Sequence, residues 1–183
     1  KPNFVYNFTG PSSVYESIEN PLTTSKEMIQ NFIILIHALV KNNSPVSFFQ
    51  PSSSEMFDNN IKEPLNEKSY LNPRSSYALS KFHIFKLCEI LRKKYDWNIN
   101  SGILFNHESE FRNNDYLIMK IIDKAIRIKN GDKSKLEIGS LSVVRDWSFA
   151  GDIVHGIKLI SQGDFNTDFV IGSGKGNSIG DLV

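Results

Sequence analysis

Four side chains in the stretch from Pro51 to Lys81, PSSSEMFDNNIKEPLNEKSYLNPRSSYALSK, carry groups able to move a proton: the Ser53 hydroxyl, the Glu55 carboxylate, the Tyr77 phenol and the Lys81 ammonium. Residues four apart on a helix share a face, so in Tyr77-x-x-x-Lys81 the ammonium can stand beside the phenol and favour its ionised form. A phenol acidified in this way serves as a general base. The spacing alone is common, and Tyr116 with Lys120 repeats it. Context separates the two pairs. Only the first follows a strand-like run, the serines Ser52 to Ser54 with Glu55, a polar loop, and the cap-forming Ser75 and Ser76. A surface tyrosine beside a solvated lysine is the competing account for Tyr77 and the ordinary one for Tyr116; for Glu55 it is a solvent-exposed carboxylate at a strand end.

Bringing these groups together requires strands that end at one edge and helices that start there. Asn3 to Phe8 predicts a short buried strand, and Thr9-Gly10-Pro11-Ser12-Ser13 the turn after it. Between Thr24 and Asn42, the residues Met28, Phe32, Leu35, Ile36 and Leu39 recur at helical spacing, with Pro45 as the stop. Val46 to Gln50 predicts the next strand, Asp58 to Asn72 a polar loop, and Ser75 to Tyr95 a helix whose lysine-rich end suits a C-terminus. Asn98 to Phe105 predicts another strand, leaving Asn106, His107 and Glu108 at its C-terminal end, which faces ligands in such sheets. Then come a helix over Tyr116 to Ile128, a turn at Gly131-Asp132 and a short strand over Leu136 to Ile138. A helix over Ala150 to Gln162, with Ile153, Val154, Ile157 and Ile160 as its buried stripe, precedes a last strand over Asp168 to Ile171. Strands alternating with helices predict an α/β fold on a parallel sheet. Gly172-Ser173-Gly174-Lys175-Gly176 fits neither glycine pattern of a phosphate-binding loop and is expected to be a turn.

With 183 residues, 40% of them apolar and a formal net charge of +1, the chain suits one globular domain and offers no charge bias toward nucleic acid or membrane. The single cysteine, Cys88, lies in an amphipathic helical pattern, so neither a disulfide framework nor a cysteine metal site is expected. The apolar run from Phe32 to Val40 is interrupted by His37 and too short to span a bilayer. No basic-then-apolar leader stands in KPNFVYNFTG, and a cytoplasmic enzyme is expected. The chain starts with Lys and stops at NSIGDLV, where Asn177 or Ser178 looks like the cap of a helix barely begun, so a fragment cut at both ends is expected.

The segments PSSSEMFD and PRSSYALSK resemble the active-site region of the extended short-chain dehydrogenase/reductases, the nucleotide-sugar dehydratases and epimerases. GILFNHES from Gly102 to Ser109, followed later by Arg145-Asp146-Trp147, resembles the GDP-mannose 4,6-dehydratase family more closely, and the similarity runs nearly end to end. It implies a truncated Rossmann-like parallel sheet with flanking helices, lacking the N-terminal glycine-rich strand-helix unit. Residues 1–105 would be the C-terminal half of the dinucleotide-binding sheet, and 106–183 a mixed sheet with the substrate-binding region. Such a piece is expected not to turn over by itself, since half of the pyrophosphate cradle would be missing.

The resemblance also implies roles. Tyr77 and Lys81 would serve C4 oxidation, Glu55 the C5 proton and the leaving C6 hydroxyl, and Ser53, where the family usually has Thr, the oxygen at C4. NADP would lie along Phe8, Thr9, Gly10, Pro11 and Ser12 and touch Lys81, His107 and Arg112. The nucleotide-sugar, GDP-mannose or similar, would contact Asn106, Lys120 and Arg145. No metal is implied, and a homo-oligomer is implied at full length. The chain departs from the family at Pro11, Thr23, Asn31, Glu110, Phe111 and Met119. An epimerase or 4-reductase of the same superfamily, and a catalytically silent cofactor-binding relative, are the alternatives.

Overall fold

The structure, a computed structural model, describes residues 1–42, 46–61, 64–95 and 97–183. In chain order these form β1 (Phe4–Tyr6), α1 (Val14–Glu19), α2 (Pro21–Lys41), β2 (Ser47–Ser53), a single 3-10 turn (Ser54–Met56), α3 (Ser76–Lys94), β3 (Asn98–Leu104) and β4 (Asn106–Glu108). After them come α4 (Leu117–Lys129), β5 (Val144–Phe149), α5 (Ala150–Gln162), β6 (Asp168–Ile171), β7 (Gly176–Ser178) and α6 (Ile179–Leu182). Strands β1, β2, β3 and β6 lie side by side in that order and all run parallel. Because β1, β2 and β3 are joined by helices rather than hairpins, their C-terminal ends share one edge. This is an α/β fold of the Rossmann-like kind.

Residues 1–104 and 155–171 form one compact unit; residues 105–154 and 172–183 form the other. The segment 155–171, placed by sequence in the second region, clusters with the first because β6 pairs with β3.

Helical periodicity builds the core of the first unit. On α2, Met28, Phe32, Ile36 and Leu39 form one buried stripe, started by Pro21 in the first turn, where a missing N–H costs nothing. That stripe meets Phe48 of β2, with Phe32 edge-on to its ring at 6.2 Å between centroids. Ile84 and Cys88 of α3, Ile99 of β3 and Trp97 complete the same cluster. Burial pushes the Cys88 thiol up to about 12, as suits a packing residue. Arg92 fastens α3 to the sheet: Nε donates to the Ile99 carbonyl at 2.9 Å, and Nη2 reaches the Asp168 carboxylate of β6 at 2.5 Å.

Several expectations are corrected. Among the described residues β1 pairs with β2 alone, and Phe4 and Tyr6 are exposed where a buried strand is expected over Asn3 to Phe8. A short helix, α1, precedes α2, which begins at Pro21 rather than Thr24. The expected stop at Pro45 falls outside the described residues; α2 ends at Lys41, with the Asn42 N–H bonded to Ala38. β2 runs on through Pro51 to Ser53 instead of stopping at Gln50. In a parallel ladder alternate residues face alternate neighbours, and the N–H of Ser47 and the carbonyl of Phe49 face β1. Pro51 therefore also faces that side, just past the Asn7 N–H to Phe49 carbonyl bond; its missing N–H ends the ladder with β1, while pairing with β3 on the other side runs on to Ser53.

In the second unit β4 pairs parallel with β5, and β7 pairs antiparallel with β5. The strand expected over Leu136 to Ile138 is irregular backbone, with Leu136 lining a hollow beside α4 instead of pairing. On α5, Ile153, Ile157 and Ile160 are buried, but Val154 is exposed, since it sits about 100° around the helix from Ile153.

Candidate active site

β2 carries Ser53 to its last position, with the backbone extended and the side chain buried. The Ser53 hydroxyl accepts the Glu55 N–H at 3.2 Å, which caps the single turn Ser54–Met56 and sets the half-buried Glu55 on it. That turn packs against α3. The N-terminus of α3 is fixed by Ser75, whose hydroxyl accepts the Ala78 N–H at 3.0 Å, and by the Ser76 hydroxyl, which donates to the Ser17 carbonyl at 2.7 Å. Tyr77 and Lys81 then fall one turn apart in the first two turns, with Tyr77 buried. The Lys81 ammonium lies 5.7 Å from the centre of the Tyr77 ring. It donates to the Pro51 carbonyl at 3.0 Å, tying α3 back to β2 two residues before Ser53. Removal from water disfavours the charged amine and holds Lys81 down to about 8. All four expected catalytic residues thus stand in one unit, at the end of one strand and the start of the adjoining helix.

The turn after β1 opens at the same edge, because β1 and β2 are parallel. Phe8, Thr9, Gly10 and Ser12 are exposed and Pro11 is half-buried. Gly10 has φ +98°, the left-handed region that favours glycine, and turns the chain from β1 into α1. A ribose and nicotinamide need hydroxyl-binding donors at strand ends and open backbone nearby; the Lys81 ammonium and this exposed turn have that character.

Beneath these residues lies a set of buried polar groups outside the expected site. Asn7 and Gln50 are 3% and 2% exposed. Asn7 Nδ2 donates to Gln50 Oε1 at 2.7 Å, and Gln50 Nε2 donates to the Pro51 carbonyl at 3.1 Å, the same oxygen that receives Lys81. A polar pair in otherwise apolar strands was the available signal, since buried amides must find partners.

The remaining expected residues lie in the second unit. Asn106 and His107 are in β4. His107 Nδ1 stands 2.9 Å from the Phe105 carbonyl, so Nδ1 carries the hydrogen and, in the neutral ring, Nε2 is the free acceptor. Arg112 pairs with Glu108 at 2.6 Å, donates to the His107 carbonyl and lies 4.4 Å above the Tyr116 ring. Lys120 lines a hollow of about 410 Å³ together with Lys124, Arg127 and Lys135 and the carboxylates Asp123 and Glu137; Lys124 pairs with Asp132 at 2.7 Å and Arg127 with Asp123 at 2.8 Å. Arg145, in β5, donates to the Val144 carbonyl at 3.0 Å and does not line that hollow. Within the turn Gly172 to Gly176, the N–H groups of Ser173 and Gly174 donate to the Asp146 carboxylate at 3.0 and 2.8 Å. An internal carboxylate therefore fills the place where a phosphate loop would hold its ligand. Among the described residues no cluster of His, Cys, Asp or Glu could hold a metal ion, and no helix is long and apolar enough to cross a membrane.

The family model described as GDP-mannose 4,6 dehydratase matches residues 1–183. GDP-mannose 4,6 dehydratase 2 of Arabidopsis thaliana is 34% identical, with 100% of this chain and 50% of that protein aligned. GDP-mannose 4,6-dehydratase of Sinorhizobium fredii (strain HH103) is 31% identical, with 100% and 53% aligned. The chain spans about half the length of these curated relatives. Among solved structures, RMD from Pseudomonas aeruginosa complexed with NADPH superposes with a TM-score of 0.91 at 24% identity, over 98% of this chain and 63% of that one. DesIV, a dTDP-glucose 4,6-dehydratase from Streptomyces venezuelae with NAD and TYD bound, gives 0.86 at 21%, over 98% and 56%.

Proposed function

The chain belongs to the GDP-mannose 4,6-dehydratase family, and on that premise we propose that the full-length protein dehydrates GDP-mannose to GDP-4-keto-6-deoxymannose, with NADP as cofactor. The observation that carries this is the junction of β2 and α3, where Ser53 and Glu55 meet the helix bearing Tyr77 and Lys81. The relatives named for this activity, and the nicotinamide cofactors named in structures of the same fold, support the choice.

Elimination of water across C5 and C6 is slow from the sugar itself, because the C5 hydrogen is not acidic. When bound, the nicotinamide supplies hydride acceptance at C4 and hydride return at C6. The chain's own residues manage the protons. Tyr77, beside the Lys81 ammonium, takes the proton of the 4-hydroxyl. Ser53 hydrogen-bonds the oxygen at C4 and holds it during the change from alcohol to ketone. Glu55 removes the C5 proton, now acidified by the neighbouring ketone, and helps protonate the departing C6 hydroxyl. Lys81 would also hold the nicotinamide ribose. His107 and Arg112 are assigned to the cofactor, and Asn106, Lys120 and Arg145 to the nucleotide-sugar, where cations suit a diphosphate. The first region serves the dinucleotide and the second the sugar. At full length the protein assembles as a homo-oligomer in the cytoplasm.

Incubation of the full-length protein with GDP-mannose and NADP tests this directly. A 4-keto-6-deoxy product is expected, and Glu55→Gln should lower its rate by about 10²- to 10⁴-fold while NADP binding persists. Turnover only of a keto-sugar would instead mark a reductase or epimerase. Cofactor binding with no turnover of any sugar nucleotide would mark a silent relative.

A further inference from the structure

Pro51 stands where β1 and β2 part. After the Asn7 N–H to Phe49 carbonyl bond, the next rung would be a Pro51 N–H to the Asn7 carbonyl, which proline cannot make, and Thr9 turns its N–H to Asn7 Oδ1 at 3.4 Å and its hydroxyl to the same oxygen at 2.7 Å instead of reaching the Pro51 carbonyl. The missing rung is spanned by side chains instead. Asn7 Nδ2 donates to Gln50 Oε1, and Gln50 Nε2 donates to the Pro51 carbonyl. The direction of this chain of bonds is forced from both ends. A backbone N–H can only donate and a backbone carbonyl can only accept, so each amide between Thr9 and Pro51 has one allowed orientation. Lys81 donates to the same carbonyl at 3.0 Å.

From this geometry we infer that Gln50, oriented by Asn7, is a positioning residue for the Lys81 ammonium: it holds the Pro51 carbonyl turned toward α3 and links Lys81 to the turn Thr9–Ser12. Proline at 51 makes this arrangement self-consistent, since it offers an acceptor at the fork with no N–H to compete. The inference rests on the role proposed for Lys81 above. It adds that the lysine is coupled to the turn after β1 through two buried amides.

The test is a titration of Lys81 in full-length protein labelled with [13Cε]lysine, the resonance assigned by its loss in Lys81→Met. The wild-type amine should titrate near 8. Gln50→Glu keeps the acceptor for Asn7 and puts a carboxyl oxygen in place of Nε2, so the Lys81 midpoint should rise by about one pH unit or more. An unmoved midpoint in a variant of unchanged circular dichroism would overturn the inference. Should Gln50→Glu not fold, Asn7→Asp gives the same readout from the other end. An acceptor-only residue there reverses the Gln50 amide and turns Oε1 toward Lys81, again raising the midpoint, and a midpoint that stays put again overturns it. In turnover, Gln50→Leu should lower kcat about tenfold with KM nearly unchanged, and a wild-type kcat would overturn the positioning role. Lys81→Met keeps the two ideas apart: turnover at the wild-type rate without this lysine would remove its proposed catalytic role, whatever the titrations of the Gln50 and Asn7 variants show.

Discussion

Lys81 is placed where its charge is costly, and that leaves a measurable trace. Burial lowers its folded pKa to about 8 from the ordinary 10.5. Between those pH values the unfolded chain holds a proton that the folded chain has released, so this residue makes stability rise with pH across the window. Below pH 8 the charged form carries the full burial cost. Lys81→Met should therefore be more stable than wild type at pH 7 by on the order of 1–3 kcal/mol, with the difference fading toward pH 10.5. Urea unfolding midpoints at pH 7 and pH 10 check this; an advantage that grows with pH would contradict it. A lysine held beside Tyr77 at a cost to stability accords with the proton-transfer role proposed for the pair. Sequence context and the family resemblance, rather than spacing alone, single out Ser53, Glu55, Tyr77 and Lys81, and the structure sets all four at the end of β2 and the start of α3. Asn7 and Gln50 carry no such signal, because their value lies in who meets whom across two strands.

At the scale of elements, α3 was the most readable: Ser75 as cap, apolar spacing through Ile84 and Cys88, and cations in the last turn all stand in the sequence and in the structure. β6 matched its expected residues, Asp168 to Ile171. The misses share a cause in pairing, which sequence does not display. Proline at 51 reads as a strand stop, and it does end the ladder with β1, but β2 runs on because its other side stays paired with β3 through Ser53. Leu136 to Ile138 alternates like a strand but finds none to pair with among the described residues. Arg92 shows how strongly one residue couples elements, since it serves the Ile99 carbonyl and the Asp168 carboxylate together. Arg92→Met leaves that carboxylate and the Ile99 carbonyl without their guanidinium partner and, the pair being part-buried, should cost about 1–3 kcal/mol, read as a fall in the denaturation midpoint. A cost below about 0.5 kcal/mol would show the pair to be ornamental, as exposed ion pairs often are.

Across the whole molecule, the expected catalytic groups and the turn assigned to the cofactor sit in the first unit, while Asn106, His107, Arg112, Lys120 and Arg145 sit in the second. The chain's near-neutral balance, +1 overall, offers no charge bias toward nucleic acid or membrane, and around Lys120 the cations Lys124 and Arg127 are themselves paired with Asp132 and Asp123. The proposed dehydration demands one proton-handling centre beside a nicotinamide that would give back the hydride it takes. Turnover of GDP-[4-2H]mannose by the full-length protein with NADP, followed by NMR of the product, tests it most directly. Deuterium recovered at C6 of a 4-keto-6-deoxy sugar is the predicted result. Deuterium lost to solvent, or recovered at C4 of an epimerised sugar, would contradict it.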